Sequence, residues 1–357
     1  MSVLRPIFVG FFLAACLLTA LVAAPRAIQP DDAHLRYVGR FDFGDPAGPR
    51  CAWSASRVEL RVAGSGRVGV RLAESNRALW QVVINGEAAG VISSRGPAAT
   101  YVVAEDLPAG EHTIFLVRRT EFNTGGTQIL GFEIDDVALL LPPVPRSRVI
   151  EVIGDSISCG YGNEAASQAE RYTAETQNAW LTYGAITAER LNADYVCVAW
   201  SGKKLWPNNT IVEYYDHVLM SPSAAKWDFA RFRPDAVVIN LGTNDFAREN
   251  PDADGWVAAA RDFIRQVRRN YPSVPVFFCV GPMLSDRNAS CTPRTVMLGY
   301  LQRVVEETRG DGAPVHIIDF GIQQMTDWIG ADWHPSVDTH RKMADTLTAA
   351  LRSELGW

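Results

Sequence analysis

The stretch that decides the fold is RVIEVIGDSISCGYGNE, Arg148 to Glu164. A run rich in branched apolar residues ends at Gly154, and Asp155-Ser156 follows at once, before small residues and glycines. Strands of parallel sheets are buried on both faces and read as near-continuous apolar runs, and ligands sit beyond their carboxyl ends. The stretch is therefore read as a buried strand breaking into a turn, with Ser156 where chemistry is usually placed. A serine there also suits a helix N-cap, since Ser is among the best caps.

Toward the carboxyl end the same grammar repeats. VIEVI, YVCVAW, AVVINL, VFFCV and VHIIDF read as strands, and between them AWLTYGAITAERL, GWVAAARDFIRQVRRN and VMLGYLQRVVEET read as helices, with a last helix after Pro335. In the second helix Trp256, Ala260, Phe263, Ile264 and Val267 share one face. Such alternation implies a parallel sheet covered on both sides.

Toward the amino end the pattern changes. LLPPVPRSR, Leu140 to Arg148, is a proline-rich join that stops both helix and central strand. Before it, from Leu35 to about Leu141, short alternating runs are punctuated by Gly, Asn and Pro: Val58, Leu60 and Val62; Val68, Val70 and Leu72; Trp80, Val82 and Ile84; Ile114 and Leu116. That spacing is expected of an all-β sandwich. Within it, GSGRVG (Gly64 to Gly69) matches the G-x-G-x-x-G dinucleotide fingerprint, with Glu87 near the acidic offset. The fingerprint works only where a strand ends and a helix begins. Here RVGVRL continues as an alternating strand, so the glycines are read as a hairpin turn and the cofactor site is rejected.

At 357 residues, with 47% hydrophobic and 21% charged residues, the chain suits roughly two globular domains rather than disorder. A net charge of -6 with no Lys/Arg block argues against a nucleic-acid partner. The first 27 residues, MSVLRPIFVGFFLAACLLTALVAAPRA, carry one early Arg5, an apolar run and small alanines, the grammar of a signal peptide cleaved around Ala23 to Ala27. LAAC ending at Cys16 also resembles a lipoprotein box, and the run approaches the length of a membrane anchor. Secreted or periplasmic export is the first expectation, with membrane attachment only through that segment. Residues 28–143 are then the β-sandwich and 147–357 the second domain. Of the cysteines beyond Cys16 (Cys51, Cys159, Cys197, Cys279 and Cys291), Cys279 and Cys291 are the expected pair in an oxidising compartment. Nothing resembles C-x-x-C, H-E-x-x-H or a calcium loop, so neither metal nor cofactor is expected.

Polar residues recur after the strand runs. Ser201-Gly202 follows YVCVAW, GTND with Asn244 and Asp245 follows AVVINL, and DWHPS with His334 stands near the carboxyl end. In a parallel sheet all carboxyl ends face one edge, so these residues can meet. A nucleophilic hydroxyl needs a base within hydrogen-bond reach and donors for the developing oxyanion. Ser156 is read as the nucleophile and His334 as the base. The N–H groups of Ser156 and Gly202 and the Asn244 amide are read as the oxyanion hole.

GDSIS, the glycine of SGKK, GTND and DWHP resemble the four blocks of the SGNH hydrolase superfamily, which implies a three-layer, flavodoxin-like parallel sheet from about Val149 onward. The preceding β domain, with VRRTE (Val117 to Glu121), GYGNE (Gly160 to Glu164) and VVINLGTNDF (Val237 to Phe246), resembles carbohydrate esterase family 2. That resemblance implies a jelly-roll sandwich joined to the SGNH domain and removal of O-acetyl groups from acetylated xylan- or mannan-type polysaccharides or oligosaccharides. One departure concerns the Asp-x-x-His of many SGNH members: Ala331 stands three before His334, and Asp332 only two before. Asp332 is expected as third catalytic member, with a backbone carbonyl and a Ser-His dyad as the alternative.

Asp155 and Asp245 are read as turn acids that accept backbone N–H bonds. His217 and His340 are read as exposed or packed histidines, and Trp333 as a wall of the substrate cleft. Trp206, Tyr161 and Trp180 suit either sugar stacking or core packing. Asn208 and Asn288 head glycosylation sequons. The rival functions are an SGNH lipid or thioester hydrolase and a catalytically inert carbohydrate-binding protein.

Overall fold

A computed structural model describes residues 25–135, 138–221, 223–286 and 292–357. The apolar amino-terminal run, Cys291 and the Asn288 sequon lie outside the described residues. Nine strands form one antiparallel sheet: β1 (Arg26–Ile28), β2 (Arg36–Val38), β3 (Arg50–Cys51), β4 (Arg57–Glu74), β5 (Arg77–Ile84), β6 (Glu87–Arg95), β7 (Ala99–Arg118), β8 (Thr127–Ile134) and β9 (Leu139–Leu141). Five form a parallel sheet: β10 (Arg148–Gly154), β11 (Ala193–Ala199), β12 (Ala236–Asn240), β13 (Val276–Val280) and β14 (Val315–Asp319). The helices are α1 (Ser156–Cys159), α2 (Tyr183–Arg190), α3 (Ala253–Asn270), α4 (Pro293–Glu307) and α5 (Val337–Leu355).

The parallel sheet runs β11-β10-β12-β13-β14, the flavodoxin-like order. Alternate residues of each strand point to opposite faces. Ile153, Val198, Ile239 and Phe278 therefore pack under α3 and α4, and Val152, Cys197, Val238 and Phe277 under α2 and α5. The alternation read from the sequence yields the expected three layers.

In the β domain, β4 and β7 pair along almost their whole length through register shifts between Gly64 and Gly69. The first half of β4 also pairs β2 and β9, and the second half β8. Val58, Leu60 and Val62 nevertheless share one core with Val68, Val70 and Leu72, so the bulged strand bends across itself and closes the sheet into a sandwich. The hairpin expected at Gly64 to Gly69 is thus corrected. Those glycines lie inside one 18-residue strand and absorb a bend. Arg26 and Ala27, assigned from sequence to the export segment, pair with Ile134 and Glu133 as β1. The expected Cys279–Cys291 bridge is also corrected. Cys279 is a free thiol buried on the inner strand β13, and its Sγ donates to the Phe277 carbonyl 3.7 Å away.

The two domains share their cores. Trp53 belongs to the cluster under α3 and α4 and donates from Nε1 to the Val218 carbonyl at 3.0 Å, while Ala55, Val83, Phe115 and Val117 belong to the cluster under α2. The seam also buries charge. Arg40, 0% exposed, pairs with Glu151 of β10 at 2.9 Å and faces the rings of Trp53, Tyr215, Trp227 and Phe229. Burial pushes the Glu151 pKa up, and the Arg40 guanidinium opposes that rise. Arg36 and Arg57 converge in the same way on Asp194. Removing one partner of such a pair strands the other charge in an apolar seam, at a cost of about 3–5 kcal/mol. Arg40→Ala is therefore expected to lower the unfolding free energy in guanidinium titrations by about that amount, while Arg309→Ala, which removes one partner of the exposed pair with Glu306, changes it by less than about 1 kcal/mol.

Candidate active site

The site is assembled at the carboxyl edge of the parallel sheet. Asp155 caps α1 by accepting from the Ile157 N–H at 3.0 Å, which places Ser156 at the first position of that short helix directly after β10. Gly202 lies on the turn after β11, the strand paired in register with β10 so that Ala199 stands opposite Gly154. His334 comes from the loop before α5, 178 residues from Ser156 in sequence. Its Nε2 lies 2.8 Å from Ser156 Oγ.

His334 Nδ1 is satisfied by the Ala331 carbonyl at 3.2 Å. The expectation that Asp332 orients the imidazole is therefore corrected. Its carboxylate accepts instead from Tyr161 Oη and the Tyr172 N–H, each at 3.0 Å, and pairs with Arg171 at 2.9 Å. These bonds, led by the Tyr172 N–H, hold its pKa below the usual carboxylate value. The reason lies in the backbone. Asp332 and Trp333 both adopt left-handed conformations, with φ of 49° and 67°. Non-glycine residues pay strain for this geometry unless their surroundings enforce it. Two successive residues of this kind turn the loop tightly, swinging the Asp332 side chain toward Tyr161 and leaving Ala331 O beside the imidazole. The loop is tied down by bonds from the Ala331 N–H to Gly162 O and from the Asp332 N–H to Glu170 O, both 3.0 Å. A Cβ on Gly162, at φ 57°, would meet Ala331 Cβ at 2.4 Å, so glycine is what permits this approach.

Tyr161 is the residue whose part the sequence left open. Its ring lies 4.2 Å from the His334 ring, centroid to centroid, and stacks on Tyr172 at 4.4 Å. Burial lowers the His334 pKa below the usual imidazole value, opposed by the Ala331 carbonyl. A neutral imidazole with Nδ1–H on a carbonyl presents a basic Nε2 to Ser156.

Two of the expected oxyanion donors are backbone N–H groups on the turns after β10 and β11. Among the described residues, neither the Ser156 nor the Gly202 N–H has an acceptor. Gly202 is exposed at φ 77° with open space where a Cβ would stand, so its conformation rather than crowding calls for glycine. Asn244, the third expected donor, directs its amide to Asp155 Oδ2 at 3.3 Å and Lys203 O at 3.0 Å.

The acids read as structural are so placed. Asp245 accepts from the Leu205 and Trp206 N–H groups and from Trp256 Nε1. Asp155 is buried, which pushes its pKa up to about 7. His340 is a packed core histidine accepting from the Tyr183 N–H, and burial lowers its pKa to about 3. His217 is buried beside Lys226. Trp180 and Trp206 pack against the two helical layers, whereas Trp333 is 55% exposed one residue before His334. Among the described residues no cluster of three His, Cys, Asp or Glu side chains is arranged to hold a metal.

Comparison with known proteins matches this geometry to a family. Residues 37–143 match the family described as Carbohydrate esterase 2 N-terminal, and residues 152–342 match the GDSL-like Lipase/Acylhydrolase family. Over 334 residues, 92% of this chain, it is 39% identical to the Cellulase/esterase CelE of Acetivibrio thermocellus. The chain belongs to carbohydrate esterase family 2. This family 2 chain spans 40% of the length of CelE. It is 26% identical, across the full length of both, to an Acetylxylan esterase / glucomannan deacetylase of Cellvibrio japonicus. A family two carbohydrate esterase from Clostridium thermocellum, solved in complex with cellohexaose, superposes with a TM-score of 0.84 at 39% identity, covering 90% of this chain and 99% of that one.

The geometry sets two expected outcomes for hydrolysis of a short acyl ester. Asp332→Asn leaves the carbonyl on Nδ1 in place, so kcat/KM should stay within about tenfold of wild type, whereas His334→Ala should cut it by about a thousandfold or more. Because the base acts only when unprotonated, activity should persist as pH falls past the usual imidazole value and fail only below it. Tyr161→Ala, which admits water to the imidazole, should move that acid limb upward in a pH profile of kcat/KM.

Proposed function

We propose that this chain is an exported serine esterase that removes O-acetyl groups from carbohydrate through an acetyl-enzyme intermediate. The observation that carries the reading is the 2.8 Å approach of His334 Nε2 to Ser156 Oγ at the rim of a family 2 fold. Ser156 attacks the acetyl carbonyl and His334 takes its proton, then gives it to the departing sugar hydroxyl. Water repeats the sequence in reverse to release acetate. The Ser156 and Gly202 N–H groups receive the oxyanion, and Asn244 joins them by giving up its longer bond to Asp155. The imidazole is steered by the Ala331 carbonyl, so the machinery is a dyad with a backbone orienter.

Xylan- and glucomannan-type acetates are the substrates favoured by the names of the Cellvibrio relatives. Trp333, exposed beside the base, offers a flat face on which a sugar ring stacks. The lipid-hydrolase alternative would call for a deep apolar channel, and the long β domain packed along the hydrolase sheet supports a carbohydrate ligand instead. Export rests on the apolar amino-terminal run. Among the described residues no helix is long and apolar enough to cross a membrane.

The test is acetate release from a panel of acetylated xylan, glucomannan and a long-chain acyl ester. Turnover of the glycans, its loss in Ser156→Ala, and little action on the long-chain ester are expected. Preference for the long-chain ester would move the reading to a lipid hydrolase.

A further inference from the structure

We propose that Glu121, supplied by the β domain, is a positioning residue for the oxyanion-binding turn of the hydrolase domain. The inference rests on the esterase reading of Ser156 and Gly202 and extends it across the seam.

Glu121 follows β7 at the end of VRRTE and is 0% exposed. Its Oε2 accepts from the Ser201 N–H at 2.8 Å and its Oε1 from Ser201 Oγ at 2.5 Å, with Cys159 Sγ of the nucleophile helix 3.9 Å from Oε2. No salt bridge reaches Glu121 among the described residues, and burial pushes its pKa up. A buried carboxylate without an ionic partner is expensive to keep charged. Here the Ser201 N–H and Oγ and the Cys159 thiol, on two active-site turns, together with the Gln177 side chain, take the place of that partner.

The turn it grips leads straight to Gly202. The peptide N–H of Gly202 takes its direction from the torsions of Ser201, and Glu121 holds Ser201 at both its backbone nitrogen and its side chain. The far side of the turn is held as well. Trp200 N–H bonds to Gly154 O at 3.3 Å, Lys203 N–H to Trp200 O at 3.2 Å, and Asn209 Nδ2 to Gly202 O at 3.0 Å. Among the described residues, the Gly202 N–H is the one donor of this turn left unclaimed, at an exposed residue beside open space. An oxyanion donor is effective when it is fixed before the reaction, so that no reorganisation accompanies the charge that develops. Glu121 itself is anchored from behind. Arg118 Nε donates to Thr120 O at 3.0 Å, and the neighbouring Arg119 donates to Gln177 O and Gln81 Oε1.

The experiment uses the full chain and compares wild type with Glu121→Gln, Glu121→Asp, Glu121→Ala and a seam control, Arg36→Ala, whose partner Asp194 lies at the opposite end of β11. The readouts are kcat and KM on 4-nitrophenyl acetate, the thermal midpoint, and the inhibition constant of phenylboronic acid, whose tetrahedral adduct on the serine mimics the oxyanion. Glutamine keeps an acceptor at the same reach and should stay within about fivefold in kcat. Aspartate keeps the charge but falls short by one methylene, and it and alanine should lose about 10–100-fold in kcat. KM should change little, and boronate inhibition should weaken in proportion to kcat. Arg36→Ala should lower the midpoint and leave kcat and boronate inhibition alone.

The proposal fails if Glu121→Asp is as active as wild type or exceeds Glu121→Gln. It also fails if boronate inhibition is unmoved where kcat falls, or if Arg36→Ala loses kcat to the same degree. A wild type inert on acetates, or hydrolysis surviving Ser156→Ala, would overturn the site reading itself and is distinct from those results.

Discussion

All five strands of the hydrolase sheet run in one direction, and everything at the site depends on that constraint. Each strand must be followed by a turn at the same edge, so a serine after β10, a glycine after β11 and an asparagine after β12 become neighbours although the chain between them is long. The order β11-β10-β12 puts the nucleophile's strand in the centre of the three. The histidine arrives on the long segment that leaves β14 and leads to α5, well beyond the end of that strand. It therefore needs its own fixing, which the paired left-handed residues and the bonds to Gly162 and Glu170 provide.

A backbone carbonyl on Nδ1 does part of what a carboxylate does in a triad. It fixes tautomer and direction but contributes a dipole rather than a full charge. In this molecule the acid that might have served is spent on shaping the loop, through Tyr161, Tyr172 and Arg171. Tyr161 then covers the imidazole face and keeps it dry. Loop shape, base orientation and base pKa are thus set by one connected group of side chains.

Much of this could be read beforehand. The five apolar runs and the helical period of α3 are strong signals because a residue buried on both faces of a layer has few alternatives to Val, Ile, Leu or Phe. Ser156, Gly202 and Asn244 stood out because each is polar or glycine just beyond an apolar run, and His334 because DWHP completes the set of four blocks. What the sequence concealed is geometry that depends on φ. Nothing in the letters of Ala331-Asp332-Trp333 announces two left-handed residues, and a count of spacings put the wrong group on the imidazole. Gly64 to Gly69 misled for the same reason, since glycine marks a turn and a bulge equally well. Glu121 and Glu151 were hidden in another way. Each is a lone acid in or beside an apolar strand, and its partner, Ser201 or Arg40, lies 80 or 111 residues away in the other domain.

The shared core between the domains bears on how such a protein can be rearranged. With Trp53 lodged beneath one helical layer and Phe115 beneath the other, the seam is interior rather than a surface at which two modules touch. A chimera that carried the hydrolase half alone into a new host polypeptide would expose an apolar wall and leave the buried Glu151 and Asp194 without their arginines. The transplantable unit is the pair, and recombination between relatives would preserve function best at breakpoints outside it.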